Sequence, residues 1–312
     1  MNMNLTPETR QTVFVTLNWN TTALARTMID SIEVTTPEPH KWIIVDNGSR
    51  DPEFYDLCRY VRLAFRDRGA YGVFTDRRDS WGKPHLDVAI LRLPTNAGCV
   101  LGHNLAFDLA SVLTDGAYDL VMVDTDVEVF EPGWLTRVRA WATGQEQPIG
   151  VVGMEHAAGE VCAGAVFLDT NGNWYIHSGQ TWRAVPEPAE SVGLGFALLR
   201  WPVPTLRFDT GFKLYYKQDD DLCFQVRADL GYSVWAFPVA NTHWGSGSLK
   251  ANDYHVQDAA GWDAFDAIKR ANQRYFAQKW AWALRGRRPN LLAEAAHLRE
   301  MAQLMAEKRG AV

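Results

Sequence analysis

Residues 118–128 read Tyr-Asp-Leu-Val-Met-Val-Asp-Thr-Asp-Val-Glu (YDLVMVDTDVE). Tyr118–Val123 is a short, mostly apolar run that ends on two carboxylates, Asp124 and Asp126, separated by one residue. Strands that are apolar on both faces belong to parallel sheets covered by helices on both sides. Upstream, the same pattern repeats. Thr12–Asn18 (TVFVTLN) predicts a strand and Thr21–Ile32 a helix. Lys41–Asp46 (KWIIVD) predicts a second strand, closed by the turn residues Asn47, Gly48 and Ser49, with a helix over Pro52–Arg66. Val88–Leu93 is a third strand and Gly102–Leu113 its helix, so Tyr118–Val123 is the fourth strand of an α/β, doubly wound, mostly parallel sheet. Such sheets bind ligands outside the carboxyl ends of their strands. Asn18, Asp46, Asp124 and Asp126 stand at those ends and are expected to meet in one crevice.

After Gly150 the pattern changes. Val161–Asp169 and Trp174–Trp182 predict a small antiparallel hairpin about the Asn171-Gly172 turn. Arg183–Glu190, with two prolines, reads as a loop; Gly193–Arg200 and Ser233–Pro238 read as strands, and Asp221–Leu230 as a helix. From Ala260 the chain is helical, over Trp262–Arg285 and again over Asn290–Lys308, where Leu291, Ala295, Leu298, Met301 and Met305 share one face. The expected organisation is one large domain over 1–255, in two halves at about 12–127 and about 128–255, followed by a C-terminal helical extension over 256–312.

The 312 residues suffice for one large core plus that extension, and 47% hydrophobic against 22% charged residues excludes a largely disordered chain. Lys+Arg 31 against Asp+Glu 37 gives a net charge of -6, which speaks against a nucleic-acid partner. That average hides a split. The last 44 residues carry +7 and the first 268 carry -13. Four cysteines at 58, 99, 162 and 223 have neither zinc-site nor disulfide-scaffold spacing. With no signal-peptide pattern and no apolar run long enough to span a bilayer, the expected location is the cytoplasm, with peripheral membrane contact or a homodimer through the basic C-terminal helices as the alternatives to simple packing.

Two carboxylates at a strand end suit a hard cation such as Mn²⁺ or Mg²⁺, which in turn takes oxygens from a phosphate ligand. By themselves they also fit a solvated strand end. Four further stretches occur in order around them: Val13–Asn20 (VFVTLNWN), Trp42–Asp51 (WIIVDNGSRD), Asn96–Asn104 (NAGCVLGHN) and Phe208–Cys223 (FDTGFKLYYKQDDDLC), with His243–Ser248 (HWGSGS) closing the series. Together they resemble family 2 glycosyltransferases, most closely the rhamnosyltransferase-like branch, over residues 12–250.

The resemblance implies a GT-A fold and inverting transfer from a UDP- or dTDP-sugar donor to a hydroxyl on a glycan, a lipid-linked glycan or another acceptor. It implies that Asp46 faces the nucleotide base, that Asn18 and Asn20 reach the base or ribose, and that Asn96, Gly98 and Gly102 let a phosphate approach a helix N-terminus. Asp124 inherits ribose and metal roles, and Asp126 and His243 those of metal ligands. Aligning the Asp-Leu-Cys of residues 221–223 with that branch puts Asp219 at the general base and Gln218 where the branch carries Glu, a departure because Gln cannot ionise. Gln218, Asp220, Trp174 and Trp182 are the candidates for the acceptor side. Two other readings stand beside the transferase: a non-catalytic nucleotide-sugar or carbohydrate-binding module, which Gln218 favours, and a sugar nucleotidyltransferase, whose Gly-rich, basic loop after the first strand is missing at Leu17–Thr21.

Overall fold

The computed structural model describes residues 10–67, 70–75, 86–114, 116–155, 163–168, 174–177, 185–244 and 259–285. Strands β1 (Gln11–Asn18) and β5 (Tyr118–Val123) lie parallel at the centre of the main sheet, with Val13 opposite Leu120 and Val15 opposite Met122. Outward from β1 follow β2 (His40–Asp46), β4 (Leu86–Arg92) and the edge strand β3 (Ala70–Thr75), all parallel. Beyond β5 come β12 (Phe196–Leu199), β7 (Ile149–Glu155), β13 (Ser233–Pro238) and β10 (Glu187–Ala189). Here β12 is antiparallel to both of its neighbours, and β10 to β13. Among the described residues the sheet thus has nine strands, and both expected halves of the chain contribute to it.

Alternate residues of the central strands feed two cores. Val13, Val15, Ile43 and Val45 pack under α3 (Gly98–Leu113) and α5 (Gln218–Asp229), and Phe276 and Trp280 join them from the C-terminal region. Phe14, Trp42 and Ile44 face the other way, onto α1 (Thr22–Thr35), α2 (Asp51–Ala64) and α4 (Trp134–Thr143). Helices therefore cover both sheet faces, as the apolar strands predicted. A smaller antiparallel sheet holds β8 (Ala163–Leu168) between β9 (Trp174–His177) and β11 (Ser191–Val192), and β6 (Val127–Val129) pairs with β14 (Asn241–His243). The expected hairpin is the β8–β9 pair; its turn lies outside the described residues.

The structure differs from the sequence reading at three points. The predicted loop Arg183–Glu190 contains β10, because Pro188 is tolerated on a strand that needs to pair on one side only. Helix α4 was not read from the sequence, although its buried residues Trp134, Leu135, Val138 and Ala142 follow helical spacing. The C-terminal helix runs as α6 (Ala259–Lys279), breaks at Trp280 and resumes as the short α7 (Ala281–Leu284). At this break Trp280 is 5% exposed and packs into the core, whereas Trp282, at 67%, faces solvent. Among the described residues no helix is long and apolar enough to cross a membrane. The helix expected over Asn290–Lys308 lies outside them.

Candidate active site

Beyond the end of β5 the chain turns at Asp124, whose backbone N–H donates to the carbonyl of Gly195 at 2.7 Å. Two residues on, Asp126 is buried, and the following β6 pairs antiparallel with β14, placing His243 opposite Val127. That pairing returns the imidazole to the carboxylates. His243 Nε2 lies 3.1 Å from Asp126 Oδ1 and 3.9 Å from Asp124 Oδ2, and one ligand atom from each of the three side chains falls within 4.8 Å of the others. Ligands with bonds of about 2.1 Å stand about 3 Å apart when adjacent and just over 4 Å when opposite, so the trio fits a divalent cation. The mixed oxygen and imidazole donors suit Mn²⁺. The backbone N–H of Trp244 fixes the turn by donating to the carbonyl of Asp126 at 2.9 Å.

Gly195 is a site residue that the sequence reading passed over. A Cβ there would lie 2.7 Å from Asp124 Oδ2 and 3.4 Å from His243 Cε1, so only glycine leaves these groups in place. Its neighbour Leu194 donates its backbone N–H to Asp219 Oδ2 at 3.2 Å. Two consecutive residues thus tie the strand-end carboxylate and the helix-borne carboxylate together. Burial pushes Asp219 up to about 7, with the charges of Asp124 and Asp220 adding to it against the Leu194 N–H and Lys217. Partial desolvation also raises Asp124, with the Asp126 charge adding and His243 opposing, while its side chain stays 51% exposed. Cys99 lies within the field of both Asp124 and Asp219, and burial with those charges lifts its thiol to about 12, which removes it as a nucleophile at neutral pH.

The remaining predicted residues divide sharply. Asn18 and Asp46 are register partners at the ends of β1 and β2, with Asn18 Nδ2 donating to Asp46 Oδ1 at 3.3 Å. Asp46 is completely enclosed: Oδ2 has no hydrogen-bond partner, and Arg92 Nε stands 4.0 Å from it. Burial raises the Asp46 pKa despite hydrogen bonds from Ser49 and Asn18. Arg92, opposite Asp46 on β4, keeps 30% of its side chain exposed and lies 3.9 Å above the Phe54 ring; it is a second residue missed, although its strand-end position was readable. Asn20, at φ 53, accepts from the Arg50 N–H and locks the first loop to the second. Asn96 Oδ1 takes the Gly98 N–H at 2.9 Å and the Asn47 amide at 3.1 Å. The glycines of α3 admit protein here: Leu17 Cδ2 lies 2.7 Å from a Cβ placed at Gly102, and Leu214 Cα 3.0 Å from one at Gly98.

On the acceptor side, Gln218 opens α5 and its Oε1 is buried without a partner. Asp220 has both oxygens engaged, by Ser191 Oγ at 2.5 Å and Lys217 Nζ at 2.7 Å, so it braces the helix start. Asp221, in the first turn of α5, accepts from Trp280 Nε1 at 2.7 Å and Lys279 Nζ at 2.8 Å. Trp174 pairs with Leu168 in β9, and Trp182 lies outside the described residues.

No protein-family model and no curated protein sequence matches the chain. Among solved structures it is similar to the mannosyltransferase PcManGT from Pyrobaculum calidifontis in complex with GDP-Man and Mn²⁺, at 14% identity and a TM-score of 0.48, over 96% of this chain and 82% of that one. Residues 1–349 of S. aureus TarS are 13% identical, with a TM-score of 0.45 over 89% and 75% of the two chains. Glucosyl-3-phosphoglycerate synthase from Mycobacterium tuberculosis, in complex with Mn²⁺, UDP and phosphoglyceric acid, is 13% identical with a TM-score of 0.45, over 78% of each chain. Similarity of this degree assigns no activity to the chain.

Proposed function

We propose that the chain is a metal-dependent, inverting glycosyltransferase of GT-A type that moves a sugar from a UDP- or dTDP-sugar to a hydroxyl acceptor. The observation that carries this reading is the Leu194–Gly195 link, which sets an acid pair with a histidine and a separate carboxylate of near-neutral pKa around one crevice. Asp124, Asp126 and His243 would hold Mn²⁺ or Mg²⁺, which supplies the positive charge that a nucleotide-diphosphate leaving group requires. Arg92, fixed over Phe54 and beside Asp46, marks the base end of the donor site.

At the other end Asp219 accepts the proton of the attacking hydroxyl as the oxygen closes on the anomeric carbon and the bond to the diphosphate breaks. A pKa near 7 suits that task, because a base poised near ambient pH combines adequate ionisation with adequate proton affinity. Gln218 at the preceding position offers a neutral amide to an acceptor hydroxyl. The acceptor is a hydroxyl on a glycan, a lipid-linked glycan or another molecule.

A thermal-shift panel of UDP-, dTDP- and GDP-sugars, each with and without Mn²⁺, tests the reading together with nucleotide release from the same donors. Mn²⁺-dependent stabilisation by one nucleotide class and Mn²⁺-dependent release are expected. Metal-independent binding with no turnover of any donor would replace the enzyme by a binding module.

A further inference from the structure

The backbone that delivers Asp219 is itself held in an unusual conformation. Leu214, Tyr216 and Lys217 all occupy the left-handed region, at φ 50, 80 and 71, although none is glycine. Side chains with a Cβ enter that region only where surrounding contacts hold them. Lys217 is the N-cap of α5, two residues before Asp219. On its other side the loop touches α3, where the Leu214 carbonyl accepts the Cys99 N–H at 2.9 Å.

One side chain on α6 supplies most of the hold. Asn272 is 1% exposed; its Nδ2 donates to the carbonyls of Lys213 at 2.9 Å, Tyr215 at 2.7 Å and Tyr216 at 3.1 Å, while its Oδ1 accepts the Lys213 N–H at 3.0 Å. A single amide therefore holds three carbonyls of one strained loop, those of residues 213, 215 and 216, and both of its N–H donors are engaged there. The next residue, Gln273, donates to the Tyr216 hydroxyl at 3.0 Å. Helix α5 has its own, separate anchor, because Lys279 and Trp280 bind Asp221 without involving the loop. Removing the Asn272 amide thus frees the loop and the N-terminal end of α5 that carries Asp219, while the Asp221 contacts keep the rest of the helix attached.

We propose that Asn272 is a positioning residue, which fixes Lys213–Lys217 in the conformation that aims Asp219 at the crevice and so couples the C-terminal helix to proton transfer. This rests on the reading of Asp219 as general base. Asn272→Ala is compared with wild type by Mn²⁺–UDP binding calorimetry, by limited trypsin digestion, and by Mn²⁺-dependent hydrolysis of whichever of UDP-glucose, UDP-galactose, dTDP-glucose and dTDP-rhamnose the wild type turns over best. The variant is expected to lose about tenfold or more in kcat while Mn²⁺–UDP affinity and donor KM stay within about twofold, because the base and not the donor is displaced. Trypsin is expected to cut after Lys213 faster than in wild type. Asn272→Ser, which keeps one hydroxyl donor, is expected to fall between the two and serves if the alanine variant does not fold. Unchanged kcat in either folded variant, or an equal loss of Mn²⁺–UDP affinity, overturns the positioning role alone. A wild type that hydrolyses none of the four donors overturns the parent reading, and this one with it.

Discussion

Asp124, Asp126 and His243 reach one point through backbone that lies at strand ends and in one short β pairing, whereas Asp219 reaches it on a helix fastened to a distant part of the chain. The candidate metal end is positioned by main chain that lies beside it in space, though not in sequence: a turn after β5, a glycine, and the β6–β14 pair. The candidate base end is positioned by side-chain contacts, since Asp221 binds side chains at 279 and 280 and the preceding loop binds Asn272. The difference teaches that the two functions can be damaged independently. A change at the metal end should spare the fold, and a change at the far helix should spare metal binding.

The strongest test removes the base charge and nothing else. Asp219→Asn is expected to lower turnover by about 10²–10⁴-fold while Mn²⁺–UDP affinity, measured calorimetrically, stays close to wild type. Near-normal turnover would end the assignment of separate roles to the two ends. Next in size is Lys279→Met, which leaves Asp221 completely buried with only the Trp280 and Gln225 hydrogen bonds. Urea unfolding is expected to show a loss of about 2–3 kcal/mol, the cost of a buried group left partly unsatisfied. A loss below the error of extrapolation would mean that the helix anchor lies elsewhere. At the metal end, Gly195→Ala puts a Cβ 2.7 Å from Asp124 Oδ2. Mn²⁺ affinity in the presence of UDP is expected to fall about 10–100-fold with little change in melting temperature. If the two quantities fell together, the metal end would not be locally built.

The same contrast explains what could be read from the sequence. The strand ends announce themselves because β1, β2 and β5 are apolar runs that stop on Asn18, Asp46 and Asp124, and strand periodicity needs no distant information. His243 was legible only through the motif resemblance, since nothing near it in the chain says that β14 will pair with β6. Gly195 was invisible because its reason is a collision with Asp124, 71 residues upstream, that exists only after folding. The acidic run 219–221 looked uniform, yet its three carboxylates diverge: one toward the crevice, one onto Lys217, one onto Lys279 and Trp280. Helix phase alone separates them, and their partners lie on other elements. The strand-end position of Asp46 was legible too, but not the partners around it, since Asn18 and Arg92 belong to other strands.

The smallest effect bears on the cost of keeping Asp219 where it is. Its folded pKa is raised, by burial first and by neighbouring Asp charges next, to about 7, against an unfolded value of about 3.9. A carboxyl with a raised folded pKa binds its proton more tightly in the native state. Below about pH 4 both states are protonated and the site carries no penalty. As pH rises from there the unfolded state gives up the proton first, so native stability falls until the folded group also ionises near 7, above which the penalty is complete. Asparagine has no such titration. Asp219→Asn is therefore expected to melt a few degrees above wild type at pH 8, with the gap closing toward pH 4, as followed by calorimetric melting in metal-free buffer. Lys217 lies in the same field and pulls the other way, so an Asp219→Asn variant that melts below wild type at pH 8, with the deficit closing toward acid, would mean that its charge, and not burial, governs Asp219. In that case the base end would be an ion-pair site, as locally stabilised as the metal end, and the contrast between the two would fail at its root.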